Sequence, residues 1–271
     1  ARLEARFEGG PVTRLVNPLR EKLARGEAVV GTFVSLPSPP FVQILAGCGF
    51  DFLIVDCEHG PIGPETAQAM ITATAVAPCV PLARVAWNLP WLAKPLLDAG
   101  ALGIVFPLVR SAEDARAAVA ACRYAPSGER GWGPFYAPSR WGLDAFDYSG
   151  SADDAILKIL LIEHVDAVRA IDAIAATPGV DVAVIAPYDL STSLGKPGAF
   201  EDPEFLAAVA EAERGIRAAG VVLGGLAATA ERANALADRG YRFLCLAYDV
   251  LLIETAMRGL LGGLRRTPAR S

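Results

Sequence analysis

The 271-residue chain has two histidines, five cysteines and no excess of basic charge, and each shortage closes off a class of function. Its net charge is −5, and its basic residues are scattered except for Arg265, Arg266 and Arg270, so it carries no electrostatic footprint for nucleic acid. Cys48, Cys57, Cys79, Cys122 and Cys245 are odd in number and never fall at Cys-x-x-Cys spacing, which argues against a disulfide framework and against structural zinc. No apolar run approaches the ~18 residues needed to span a bilayer. The first residues, with Arg2, Arg6 and Glu8, lack the continuous apolar region of a signal peptide. A cytoplasmic protein with no membrane partner is the expectation. A Gly-x-Ser-x-Gly elbow is missing, and no phosphate-binding glycine fingerprint follows an early strand.

What is present is a rhythm. The hydrophobic fraction is 53%, and short β-rich runs alternate with longer helical patterns. The runs at 29–34, 52–56, 80–85, 102–107, 159–163, 182–186, 221–225 and 243–247 read as strands that are apolar nearly throughout. Such strands are buried on both faces, as in parallel sheets. Eight of them, each followed by a helix, predict a single-domain (β/α)8 barrel over 29–262. Residues 1–28 read as an N-terminal extension with one helix, and 263–271 as a basic, flexible tail. A doubly wound open sheet is the alternative. The segment 124–156 breaks the rhythm with many Gly and Pro residues among Trp132, Phe135, Tyr136 and Trp141, and is expected to be a long functional loop.

Chemistry in a parallel barrel gathers where strands end. The second strand runs into Asp56, Glu58 and His59 and stops at Gly60-Pro61; the third ends at Arg84, the fifth at Glu163, and Asp189 follows the sixth. Glu163 and Asp189 are hard oxygen donors on neighbouring strands and suit a divalent cation that keeps several waters; a rim salt bridge or helix cap is the bland reading of each. His59 has the right intrinsic pKa for acid or base work near neutrality. Arg84 needs an anionic partner, either a substrate carboxylate or a structural ion pair. His164 and Cys57 read as structural. Lys158 opens a strand at the opposite rim and Lys94 lies in a helix, so Schiff-base chemistry is disfavoured.

Six segments, in order, carry a resemblance: 49–61 (GFDFLIVDCEHGP), 84–88 (RVAWN), 97–100 (LDAG), 123–133 (RYAPSGERGWG), Ile162-Glu163 and 186–195 (APYDLSTSLG). The chain resembles, over roughly 18–262, the HpcH/HpaI aldolase/citrate lyase family of class II pyruvate (hydroxyketoacid) aldolases, which includes 4-hydroxy-2-oxoheptanedioate aldolases. The resemblance implies Mg²⁺, Mn²⁺ or Co²⁺ on Glu163 and Asp189, Arg84 on the oxo acid and its enolate, and His59 in the acid/base step. It implies that Asp98, across a subunit boundary, supports that step, with Asp56 as a second candidate. The turn at Pro187 and Tyr188 matches a carboxylate-holding segment, and Phe33, Trp132 and Leu226 match pocket walls, Trp132 by reaching into a neighbouring subunit. It further implies a hexamer, a trimer of dimers with exchanged C-terminal helices. The implied substrates are a 2-oxo acid and an aldehyde. Leu161, His164, Trp132 and Tyr188 depart from the family pattern at pocket walls, which leaves the aldehyde open. Oxaloacetate decarboxylation, a CoA-thioester lyase and a non-catalytic oxo-acid-binding barrel are the alternatives.

Overall fold

The computed structural model describes residues 13–264, in which eight parallel strands close into a barrel in chain order. The strands are β1 Val29–Val34, β2 Phe52–Asp56, β3 Val80–Arg84, β4 Gly103–Phe106, β5 Leu157–Ile162, β6 Val182–Ile185, β7 Val222–Ala227 and β8 Phe243–Tyr248. Every residue of β2, β4, β5 and β6 is buried, as strands covered by helices outside and packed side chains inside require. The expected extension and tail fall largely on residues 1–12 and 265–271, outside the described residues.

The barrel closes at β1, which pairs with both β2 and β8. Phe52 and Phe243 stack across this seam at 4.3 Å between ring centroids. Only a glycine fits between them: a Cβ on Gly31 would sit 2.2 Å from the Phe52 ring.

Helix starts follow capping chemistry. Asn17 caps α1 (Pro18–Ala24), Ser38 caps α2 (Pro39–Gly47), Ser111 caps α5 (Ala112–Ala121), and Asp202 caps α11 (Pro203–Ala218). Between them run α3 (Pro64–Ala73) and α4 (Pro90–Asp98), then α8 (Val165–Arg169), α9 (Ile171–Ala175) and α10 (Pro187–Ser193). The single helix expected over 165–176 is thus two, broken at Ala170. After α11 come α12 (Ala230–Asp238) and α13 (Asp249–Gly262).

The segment expected to be a long loop contains α6 (Ala137–Trp141) and α7 (Ala145–Ala155). Its glycines hide the helical signal. Gly142 ends α6 in the left-handed conformation, Asp144 caps α7, and Tyr148, Ala152 and Ala155 then repeat at helical spacing on a buried face. Because this segment joins the end of α5 to the start of β5, it belongs to the barrel's N-terminal rim. Among the described residues no helix is long and apolar enough to cross a membrane.

Replacing Gly31 by Val should unseat the Phe52–Phe243 stack and cost at least about 3 kcal/mol. Urea denaturation measures this; a midpoint equal to wild type would show that the seam tolerates a side chain.

Candidate active site

The end of β2 faces the end of β3 in register, Asp56 opposite Arg84. Their side chains form a two-pronged pair: Arg84 Nε donates to Asp56 Oδ1 at 2.8 Å and Nη2 to Oδ2 at 2.6 Å. The guanidinium lies 4.5 Å above the Phe33 ring, which places this predicted pocket residue beneath the arginine. Nη1 faces Glu58 Oε2 at 3.1 Å. Asp56 does more than hold Arg84, because its Oδ1 also accepts the backbone N–H groups of Glu58 (3.1 Å) and His59 (3.4 Å). One carboxylate therefore sets both the arginine and the turn that carries the histidine. The turn is packed against β1: a Cβ on Gly60 would meet Asp56 O at 2.5 Å and Ser35 O at 2.7 Å.

A cavity of about 330 Å³ opens at this rim, lined by Glu58, His59, Leu108, Glu163, His164 and Asp189 among others. Glu163 is 6% exposed. Its Oε1 accepts the Leu108 N–H at 2.5 Å, a donor presented by a left-handed backbone at Leu108 (φ 58°). Burial pushes the Glu163 carboxyl up to about 7, and the charges of Glu58 and Asp189 add to that rise, while the Leu108 N–H and Arg84 oppose it. Glu58 is also pushed up to about 7, chiefly by burial, with Arg84 opposing and Asp56 and Asp189 adding. Asp189 lies in the first turn of α10, whose N-terminus has no side-chain cap. The bland capping reading therefore does not apply to it.

Three carboxylates thus face one small space, and buried Glu58 Oε2 is answered there by the Arg84 guanidinium. Hard oxygen donors with surplus negative charge fit a divalent cation. Among the described residues no group of three or more His, Cys, Asp or Glu side chains is placed to hold one ion. A cation here would rest on Glu163 and Asp189 and take its remaining ligands from water and substrate.

The structure separates the other predicted residues. His59 lines the cavity with its side chain 68% exposed, its Nε2 3.9 Å from Glu58 Oε2. Asp56 is committed to Arg84 and to backbone, so it does not support the imidazole. Asp98 ends α4 at the N-terminal rim and pairs with buried Arg130 at 2.8 Å. A helix that returns from the C-terminal rim cannot bring its last residue to His59 of the same chain. Trp132, in the α5–β5 connection, packs against Phe135 and Phe146 and is absent from the cavity for the same topological reason. Pro187, Tyr188 and Leu226 line a second cavity next to the acidic one.

Sequence reasoning named Glu58 at the end of the second strand but gave it no role, although it lies between two residues that received one. The available signal was the strand-end spacing itself, which turns Asp56 and Glu58 toward the same arginine. His164 caps α8, its Nδ1 accepting the Asp166 N–H at 3.1 Å. Lys158 is buried at the opposite rim and donates to Asp153 O. Cys57 lines a separate apolar pocket, and burial pushes its thiol up to about 11, which keeps it protonated and unreactive at neutral pH.

Comparison with known proteins points the same way. Residues 30–256 match the family model described as HpcH/HpaI aldolase/citrate lyase. The chain is 35% identical over 240 residues to a hydroxypyruvate/pyruvate aldolase of Sagittula stellata, covering 89% of this chain and 94% of the relative. It is 36% identical over 245 residues to a 4-hydroxy-2-oxo-heptane-1,7-dioate aldolase of Klebsiella pneumoniae, covering 90% and 92%. A crystal structure of a protein assigned to the same family, from Burkholderia cenocepacia, superposes with a TM-score of 0.87 at 32% identity, covering 93% of this chain and all of that one.

The acidic cavity has a cost that pH reveals. With Glu163 near 7 in the folded chain and 4.5 as its ordinary value, the folded state holds this proton more tightly than the unfolded state does. The resulting stabilisation is full below about pH 4.5 and lost as pH rises through 7. In metal-free protein Glu163→Gln should therefore raise stability above pH 7, by on the order of 2 kcal/mol, with the gain shrinking toward pH 5. Chemical denaturation at pH 5 and pH 8 measures it; an equal effect at both pH values would refute the buried charge.

Proposed function

The chain belongs to the HpcH/HpaI aldolase/citrate lyase family, and we propose that it is a metal-dependent aldolase that cleaves or forms 4-hydroxy-2-oxo acids through a pyruvate or hydroxypyruvate enolate and an aldehyde. That it is a carbon–carbon lyase of the aldolase kind follows from its family and relatives. The finer reading is carried by one observation: three carboxylates share a cavity beside an arginine whose plane is fixed by a fourth.

A divalent cation held by Glu163 and Asp189 would draw electron density from the C2 carbonyl of a chelated 2-oxo acid. Arg84 supplies the second positive charge. Asp56 occupies its Nε and Nη2 and Glu58 faces Nη1 at 3.1 Å, so oxygen charge that develops on the substrate would share Nη1 with Glu58. His59, exposed at the rim, takes the proton of the C4 hydroxyl as the C3–C4 bond breaks, and returns it when the bond forms. The first turn of α10, which opens at Pro187, offers the backbone N–H groups of Tyr188 and Asp189 to the C1 carboxylate. The reaction is balanced without redox change: cleavage moves the hydroxyl proton off oxygen and one proton onto C3.

The same reading takes the protein as a cytoplasmic homo-oligomer, a trimer of dimers. Free thiols at all five cysteines suit a reducing compartment. In α13 only Asp249 is buried, while Met257, Leu260 and Leu261 are exposed, an apolar surface that calls for a partner. Asp98 and Trp132 can reach a mouth only if it belongs to another copy.

Two measurements test this. Pyruvate release from a 4-hydroxy-2-oxo acid should require added Mn²⁺ or Mg²⁺, fall at least about 100-fold in Arg84→Ala and His59→Ala, and be abolished in Glu163→Gln, in which Mn²⁺ should also no longer raise the melting temperature. Release by EDTA-treated Glu163→Gln at the wild-type rate would end the metal proposal. Light scattering should give a mass near six chains for wild type and a smaller one for Leu260→Glu; a wild-type monomer would end the oligomer proposal.

A further inference from the structure

We propose that the apolar cavity beside the acidic one is the aldehyde subsite and that it selects aldehydes bearing an aromatic ring; this rests on the aldolase reading above and extends it. The cavity measures about 280 Å³ and is walled by Pro187, Tyr188, Phe200, Leu226, Tyr248 and Leu251.

Continuity with the reacting centre comes first. Asp189 lines the acidic cavity, and the two residues before it line the apolar one, so a single turn of α10 forms the partition between them. Leu226 connects the apolar cavity to the barrel mouth. A Cβ on Gly225 would meet Leu236 and Tyr241 in the outer layer, so its neighbour in β7 points the opposite way, toward the barrel interior.

The lining then defines the guest. Tyr188 and Phe200 meet edge to face at 4.9 Å, and Tyr188 remains 63% exposed. No carboxylate lines the cavity, and its one charged residue, exposed Arg232, stands 6.0 Å over the Phe200 ring. A polyhydroxylated aldehyde would lose hydration against these mostly apolar walls, with only Tyr188, Tyr248 and Arg232 to replace its hydrogen bonds. A flat ring would gain burial and edge contacts. The backbone adds a third observation. Among the described residues only two non-glycine residues have positive φ, Leu108 in the acidic cavity and Ala247 (φ 56°) in the apolar one. Backbone held in this region concentrates at ligand sites.

In the synthetic direction C3 of pyruvate joins the aldehyde carbon, one proton leaves C3 and one ends on the former aldehyde oxygen. The test compares addition of pyruvate to benzaldehyde and to glycolaldehyde with Mn²⁺, alongside exchange of the pyruvate C3 protons in D₂O without aldehyde. The expected kcat/KM favours benzaldehyde by about tenfold or more. Ala228→Trp, which fills the cavity from its exposed edge, should erase that preference and leave the C3 exchange unchanged. Phe200→Leu should reduce the preference several-fold. Saturation-transfer NMR with unreactive benzyl alcohol should detect binding to metal-free wild type and not to Ala228→Trp. A preference for glycolaldehyde, or an aromatic preference that survives Ala228→Trp, overturns the subsite while C3 exchange keeps the aldolase reading. Absence of both exchange and addition overturns both.

Discussion

The two-pronged pair between Asp56 and Arg84 is the interaction on which the candidate site depends. It joins the ends of two strands already in register, so the barrel ladder supplies the alignment and the side chains need only complete it. The carboxylate then does three things. It neutralises a mostly buried guanidinium, fixes its plane above Phe33, and holds the N–H groups of the turn that carries Glu58 and His59. Loss of Asp56 would leave the mostly buried Arg84 with Glu58 alone as its ion-pair partner, and would free the histidine turn as well.

The two ends of the barrel use buried charge differently. At the N-terminal rim, Glu213 is surrounded by Arg217, Arg239 and Tyr241, and Asp98 by Arg130, so acids there are answered by donors. At the C-terminal rim Glu58, Glu163 and Asp189 face one another with Arg84 and Arg110 as the nearby cations, and Arg84 is already engaged by Asp56, so the acids remain in excess. Surplus negative charge that the fold itself does not compensate is what a binding centre looks like electrostatically.

Much of this was legible in the chain. Eight apolar runs gave the barrel, and the polar residues closing them gave Asp56, His59, Arg84, Glu163 and Asp189, because strand parity and strand ends are local properties. What was not legible depends on topology or on mixed local signals. Helix α7 was hidden by Gly150 and by the glycines before it, although Asp144 and the spacing of Tyr148, Ala152 and Ala155 marked it. Asp98 and Trp132 are different: the resemblance already implied that both act across a subunit boundary, and the alternation of strand and helix places them at the rim away from their own chain's mouth. The partnering of Arg84 could not be decided from sequence, since a substrate carboxylate and an aspartate on the next strand satisfy a guanidinium equally well. Glu58, named at the strand end, received no role for the same reason: its importance lies in the arginine that crosses from the neighbouring strand.

Leu108 has a practical meaning for anyone reshaping this protein. Its amide reaches Glu163 only because the chain there is wound the left-handed way, a state that glycine and asparagine accept and that valine, isoleucine and threonine resist. The half-buried leucine looks like an open position for a mutant library. Branched replacements there would swing the amide off the glutamate, so diversity is better spent elsewhere along the cavity wall.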